Sequence, residues 1–296
     1  MNPAALYLAS GDSLYPGAVL LLAAVAWKSL SARGPRLLQS LMAWLGLAMV
    51  VIASPPISGW AAATFVVAFL VWLNTANQFG VGSRWMRVRV AATFALLVLL
   101  LAVSGSELLH RRMPRITGQP SDHLVVIGDS ISSGIDAHTP AWPTLFQLQT
   151  GIAVWNLSHP GATVVEARVM APQVRPQDAL ILIEIGGNDL LSGMSAAEFG
   201  QRLDSLLSSL KMPGRTLVMF ELPLLPHKIG YGRVQRRLSS KYGVFLIPKH
   251  FFTRVLSGAD ATSDGLHLSE SGARSMSALV ERTLSPALKL TEPVAR

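Results

Sequence analysis

Hydrophobic and polar positions follow one rule up to about residue 110 and another after residue 120. In the first stretch apolar side chains dominate residues 14–30, 37–54, 57–76 and 90–109. Each run is near the roughly 20 residues that a bilayer core requires of a helix, so the pattern predicts an all-α transmembrane region of about four helices. The second and third runs hold no charged residue and are parted by Ser54-Pro55-Pro56, a break that turns the chain back on itself. The first run carries Pro16 and Gly17 between Asp12 and Lys28 and competes with a cleaved signal peptide. No Lys or Arg precedes it and no small-x-small cleavage site follows, so an uncleaved span is expected.

From residue 120 short β-branched and aliphatic runs alternate with longer amphipathic stretches. Residues 124–127, 152–157, 179–185, 216–220 and 244–247 read as buried strands, and 142–149, 164–170, 195–210, 232–242 and 269–284 as helices. Strands alternating with helices imply an α/β domain with a parallel five-stranded sheet covered on both faces. Three parts follow: a membrane anchor over residues 1–110, a tether over 111–120 and a globular domain over 121–296.

Charge sharpens the division. Only 14% of the 296 residues are charged and the mean hydropathy is +0.41, whereas an ordinary soluble protein is about 25% charged. The net charge of +8 sits in the apolar part: residues 1–116 hold nine Lys and Arg against two acids, the remainder sixteen against fifteen. Short basic clusters between apolar runs fit cytoplasmic loops and a lipid environment, and no nucleic-acid surface is expected. Lys28, Arg33 and Arg36 follow the first run, and Arg84, Arg87 and Arg89 precede the fourth. Both termini are therefore expected on the outer or periplasmic side of an integral membrane protein, a bacterial inner membrane protein by this pattern; Arg111, Arg112 and Arg115 count against this and are outnumbered. Ionisable residues of the spans, Asp12, Lys28 and Glu107, lie at their edges, which favours an anchor, or docking to a membrane protein partner, over a transporter. There is no cysteine, so disulfides and thiolate metal sites are excluded. The histidines show no ligand spacing with carboxylates and no phosphate-binding loop follows the first strand, so neither metal nor nucleotide cofactor is expected.

In a parallel sheet ligands bind beyond the carboxyl ends of the strands. Gly128-Asp129-Ser130 follows the first, Ser158-His159-Pro160-Gly161-Ala162 the second, Gly186-Gly187-Asn188-Asp189 the third, and Asp264-Gly265-Leu266-His267 comes after the last. Together they offer a hydroxyl, an amide donor, an imidazole and a carboxylate, the parts that acyl transfer needs as nucleophile, oxyanion donor, base and orienting group. Asp129 and Asp189 read as holders of their own loops, and His159 as a solvated bystander.

These four segments, with Ala141-Trp142-Pro143 and the lead-in Ile183-Glu184-Ile185, resemble the signature blocks of the SGNH, or GDSL, hydrolase family, in its bacterial thioesterase, arylesterase and lysophospholipase type. The resemblance covers roughly residues 121–283. It implies an SGNH-type three-layer domain with Ser130 as nucleophile, His267 as general base and Asp264 orienting the imidazole. It also implies an oxyanion hole built from the backbone N–H groups of Ser130 and Gly161 and the side-chain amide of Asn188. Ile131 replaces the usual Leu of the first block, and Pro160 removes a backbone donor beside Gly161. Gly11-Asp12-Ser13-Leu14 spells the family motif again, but it follows no strand and opens an apolar run, so Ser13 is not expected to be catalytic.

The expected activity is that of a membrane-anchored serine esterase cleaving carboxylic ester or thioester bonds through an acyl-enzyme. Acyl removal from, or transfer to, envelope polysaccharide is the alternative enzyme reading, and a membrane scaffold with a degenerate hydrolase domain the non-enzyme one. Leu190, Leu191, Met194, the run 222–225 and Ile229 are candidates for an acyl groove. A lipid or acylated glycan presented near the bilayer is the expected substrate.

Overall fold

The computed structural model describes residues 3–30, 35–75, 83–135, 139–224 and 228–289. Arg33, Ala76, Asn77, Gln78, His138, Leu225 and His227 lie outside the described residues, as do the side chains of Arg36 and Arg84. Contacts divide the chain into two units, one of Met1–Leu6, Arg112–Pro223 and Gly230–Arg296, the other of Tyr7–Arg111 and Leu224–Ile229.

The described residues of the apolar part form the helices α1 (Pro3–Ser10), α2 (Leu14–Leu30), α3 (Arg36–Ile52), α4 (Gly59–Thr75) and α5 (Ser83–His110). Helices α2 and α3 meet at glycines. A Cβ on Gly17 would stand 2.9 Å from the Gly46 carbonyl oxygen and 2.8 Å from Met49 Cβ, so only glycine permits this approach. Leu21, Ala43, Phe69, Trp72, Leu96 and Leu100 form the core of the bundle. By length and composition one described helix, Trp85–His110, could cross a membrane alone. Ala4–Ser10 and Leu14–Lys28 reach that measure only as a pair bent by 78°, and Leu37–Ile52 and Gly59–Thr75 are shorter. Helix α5 starts seven residues earlier than the apolar run, so Arg87 and Arg89 lie in its first turns rather than in a loop. Arginine is a good helix former whose long side chain reaches polar ground from within a helix. Ser13 caps no strand; its hydroxyl donates to the Met49 carbonyl at 3.1 Å.

The unit of Arg112–Pro223 and Gly230–Arg296 holds β1 (His123–Gly128), β2 (Ala153–Asn156), β3 (Leu180–Glu184), β4 (Thr216–Phe220) and β5 (Phe245–Ile247). All pair in parallel, in the order β2-β1-β3-β4-β5, so the chain reverses its direction of travel across the sheet between β1 and β3. That is the place where an open α/β sheet leaves a crevice at its carboxyl edge. Leu124, Val126, Leu182, Val218 and Phe220 pack with Trp142, Phe146, Met276 and Val280 from the flanking helices α7 (Trp142–Thr150) and α13 (Glu270–Leu284). The sequence pattern omits the short helix α12 (Lys249–Leu256), which leaves β5 directly after Pro248 without a side-chain cap.

At the opposite edge of the sheet the buried carboxylate of Asp178 accepts the Arg175 backbone N–H at 2.7 Å and lies 2.9 Å from His123 Nε2. Arg215 donates to the carbonyls of Asp178, Leu210 and Arg175 at 2.9, 2.8 and 2.7 Å. Just before β1, Ser121 N–H donates to the Ala287 carbonyl at 2.9 Å and its own carbonyl accepts Lys289 N–H at 2.8 Å.

Candidate active site

Ser130 opens a single helical turn, α6 (Ser130–Ser133), at the carboxyl end of β1. Asp129 caps that turn, its Oδ1 accepting Ile131 N–H at 2.9 Å. Gly128 lets the turn fold back so tightly, because a Cβ there would stand 2.7 Å from Ser132 Oγ and 3.0 Å from the Glu184 carbonyl oxygen. After β3 the chain turns at Gly186, whose φ of +110° is a left-handed conformation natural to glycine. Helix α9 (Gly187–Leu191) follows and carries Asn188.

Asn188 ties three strand ends together. Its Nδ2 donates to the Ala162 carbonyl at 3.0 Å and to Asp129 Oδ2 at 3.3 Å. Gly161, at φ +76°, is the neighbour of Ala162 in a loop held against β1 by the bonds Leu157 N–H to Val126 O, 2.8 Å, and His159 N–H to Gly128 O, 3.2 Å. Asp189 is buried and accepts Val164 N–H at 3.0 Å, so it fastens the loop after β2 to α9. Burial pushes its carboxyl up, resisted by that bond. The hydroxyl of Tyr231 donates to the carbonyls of Asp189 and Met194, at 3.1 and 2.9 Å, and pins the far side of the same segment. Burial pushes that hydroxyl up to about 12, with the charges of Asp189 and Glu198 adding to it.

His267 Nδ1 lies 2.6 Å from Asp264 Oδ2. The Asp264 carboxyl is held well below the usual carboxylate range, first by the His267 backbone N–H, then by the His267 ring and the Leu266 N–H. Ser130 and His267 line one pocket together with Ile131, Trp142 and Leu268. On its other side Ser130 borders a cavity of about 130 Å³ with Asn188, Asp129 and Glu184 among its lining residues. Its apolar walls are Leu190, Leu191, Leu222, Pro223, Phe252, Leu256 and Leu266. Of the expected groove residues, Leu190, Leu191, Leu222 and Pro223 line it and Met194 does not; Leu224 and Ile229 fall in the other unit. Phe252 and Leu256, on the unforeseen α12, are new; their three-and-four spacing with Val255 was the available signal. Among the described residues no group of three His, Asp or Glu side chains comes together as metal ligands.

Asp129 and Glu184 were not expected to matter beyond their loops, yet they meet behind Ser130. They are only 4% and 2% exposed. Glu184 Oε2 accepts the Ser132 hydroxyl at 2.9 Å, and Ser132 Oγ accepts Trp142 Nε1–H at 3.1 Å. Burial pushes the Glu184 carboxyl well above its usual range, with the Asp129 charge adding to it. Burial also raises Asp129, against the Ile131 N–H that stabilises its charge.

A serine at the carboxyl end of an inner strand of a parallel sheet, in one cleft with an imidazole held by a carboxylate, is the arrangement of a serine hydrolase that works on acyl groups. Residues 126–274 match the GDSL-like Lipase/Acylhydrolase family. The chain belongs to that family and is a serine ester hydrolase. It is 30% identical to Esterase TesA of Pseudomonas aeruginosa over 159 residues, 49% of this chain and 78% of that protein. It is also 30% identical to an arylesterase of Vibrio mimicus over 166 residues, covering 50% and 81%. To thioesterase 1/protease 1/lysophospholipase L1 of Escherichia coli K12 it is 28% identical over 160 residues, covering 50% and 76%. A crystal structure of TesA aligns with a TM-score of 0.49 at 28% identity, over 56% of this chain and 99% of that one.

Proposed function

We propose that this chain is a membrane-anchored esterase in which Ser130 is the nucleophile, His267 the general base and Asp264 the group that orients it. The observation that carries this is the shared cleft of Ser130 and His267, with the imidazole Nδ1 committed to Asp264, which leaves Nε2 for the serine proton. Ser130 Oγ attacks the ester or thioester carbonyl as its proton passes to His267. The collapsing intermediate expels the alcohol or thiol, which takes that proton. Water, deprotonated by the same imidazole, then cleaves the acyl-enzyme and releases the acid. The backbone N–H groups of Ser130 and Gly161 and the Asn188 amide receive the oxyanion.

Residues 1–110 are the anchor in this reading, with about four spans, 111–120 the tether and 121–296 the hydrolase domain. Support comes from the surface of α2 to α5, where Val19, Leu41, Val67, Phe94 and Leu101 are all exposed; apolar residues facing outward this densely suit lipid. The hydrolase domain lies on the periplasmic or outer side, and its substrate is an acyl ester at the bilayer surface, a lipid or an acylated glycan.

The test is labelling of the full-length protein with a serine-directed fluorophosphonate. Ser130→Ala abolishes labelling and turnover, Ser13→Ala leaves both intact, and labelling that survives Ser130→Ala overturns the assignment.

A further inference from the structure

The amide of Asn188 is already engaged on both of its N–H groups, one to the Ala162 carbonyl and one, longer, to Asp129 Oδ2. To receive an oxyanion it must release one of them. The Asp129 bond is the longer, and the strength of its acceptor depends on what the Asp129 carboxyl itself binds. Glu184 stands beside it: both carboxyls are buried, Glu184 pairs across the sheet with Gly128, the residue before Asp129, and both residues line the cavity at Ser130. Two carboxyls side by side and out of water cannot both carry a charge without a large penalty.

We infer that Asp129 and Glu184 hold one proton between them, and that this proton governs how freely the Asn188 amide turns to the oxyanion. This rests on the roles proposed above. The proton resides chiefly on Glu184. Asp129 accepts Ile131 N–H and Asn188 Nδ2–H, which favour its charge, whereas Glu184 is the more deeply enclosed of the two. With the proton in place, Asp129 accepts from Glu184 as well as from Asn188, and its hold on the amide is divided. Without it, two negative charges stand behind Ser130. Asp129 then draws the amide inward, and the second charge opposes the developing oxyanion. Glu184 is thus a positioning residue acting through Asp129. Ser132 Oγ–H, itself anchored by Trp142, fixes the Glu184 carboxyl from the other side. The other titratable groups acting on the pair are Asp189 on α9 and His267 before α13. Asp189 opposes charge on Asp129 and His267 favours it. Both act on the pair as a whole, and neither replaces the shared proton.

The sign of the pH effect follows. Burial raises Glu184, so the pair keeps its proton to higher pH than an ordinary glutamic acid would, and the second charge arrives as pH rises. Turnover number, rather than KM, should fall there, because the loss is in the transition state.

The experiment measures kcat for p-nitrophenyl butyrate between pH 6 and pH 10 with the full-length protein, parent against Glu184→Gln. Glutamine keeps the shape and the donor but has no proton to lose. The expected result is an alkaline decline in the parent that is absent in Glu184→Gln, with Glu184→Ala losing on the order of 10²-fold across the whole range through misplacement of Asp129. Superimposable profiles for the parent and Glu184→Gln overturn the inference, as does a flat alkaline profile in the parent. If Glu184→Gln lacks a melting transition, Asp129→Asn takes its place under the same two criteria. Fluorophosphonate labelling of Ser130 is read in parallel. Loss of the pH effect with Ser130 still labelled removes this inference alone, whereas labelling that persists in Ser130→Ala removes the reading on which it stands.

Discussion

His267 and Asp264 are joined at two points: the ring Nδ1 lies 2.6 Å from Asp264 Oδ2, while the His267 backbone N–H donates to Oδ1 at 2.8 Å. One carboxylate therefore fixes both the peptide and the ring, and the imidazole has little freedom to rotate away from the cleft.

Replacing that carboxylate by an amide tests the arrangement. In Asp264→Asn the oxygen keeps the backbone bonds, but an NH₂ group now faces Nδ1 and selects the wrong tautomer. The expected loss in kcat is on the order of 10³–10⁴-fold with the melting temperature unchanged. A loss smaller than tenfold at intact fold would place the orienting group elsewhere.

The cavity beside Ser130 predicts chain-length selectivity. Leu191 lines it yet is 67% exposed, so Leu191→Asp can add a charge there without costing the core. For a series of p-nitrophenyl esters, kcat/KM should rise from acetate to medium chains in the parent and lose that rise in the variant. Strict preference for acetate would favour deacetylation of a polysaccharide over a lipid substrate.

Asp178 makes the fold acid-sensitive. Burial pushes its carboxyl up, but the Arg175 N–H, the His123 ring and the Arg175 guanidinium outweigh it, and the net shift is downward. A depressed carboxyl stabilises the folded state above the ordinary Asp value, about 3.9, and that stabilisation drains away as pH falls through the folded value. Asp178→Asn should therefore cost about 2 kcal/mol at neutral pH, and its melting temperature should depend less on pH than the parent's between pH 5 and pH 3, intervals chosen on the order of that ordinary value.

Orientation in the membrane is checked by a reporter that fluoresces only in the cytoplasm. Fused after Arg296 it should stay dark, and inserted before α5, in the segment 76–82, it should light up. A bright C-terminal fusion would move the hydrolase domain to the other side and exclude an envelope substrate.

Much of the hydrolase domain was legible because its inner strands, β1, β3 and β4, are buried on both faces. Residues 180–184 read Leu-Ile-Leu-Ile-Glu, and such a run has few other homes. The segments around Ser130 and Asn188 stood out because the turns at the sheet edge take glycine, at Gly128 and Gly186, and glycine marks sequence clearly. Helix α12 was not, since eight residues opening with Lys249 and His250 straight from a strand present barely two turns of periodicity. Its walls for the cavity, Phe252 and Leu256, went unseen with it. Glu184 was passed over as part of a lead-in because nothing in a strand pattern tells whether an end residue points to water or into the core. Helix α1 escaped for a simpler reason: eight residues fall short of a span.

The pairing of Ser121 with the chain at Ala287 and Lys289 has a mechanical side. Its two hydrogen bonds stand between residues 112–120 and β1, the strand that ends at Ser130. A pull along residues 112–120 is taken up by that clamp, in shear against residues 287–289. A load on residues 112–120 thus meets the pairing at Ser121 before it reaches β1 and the serine at its end.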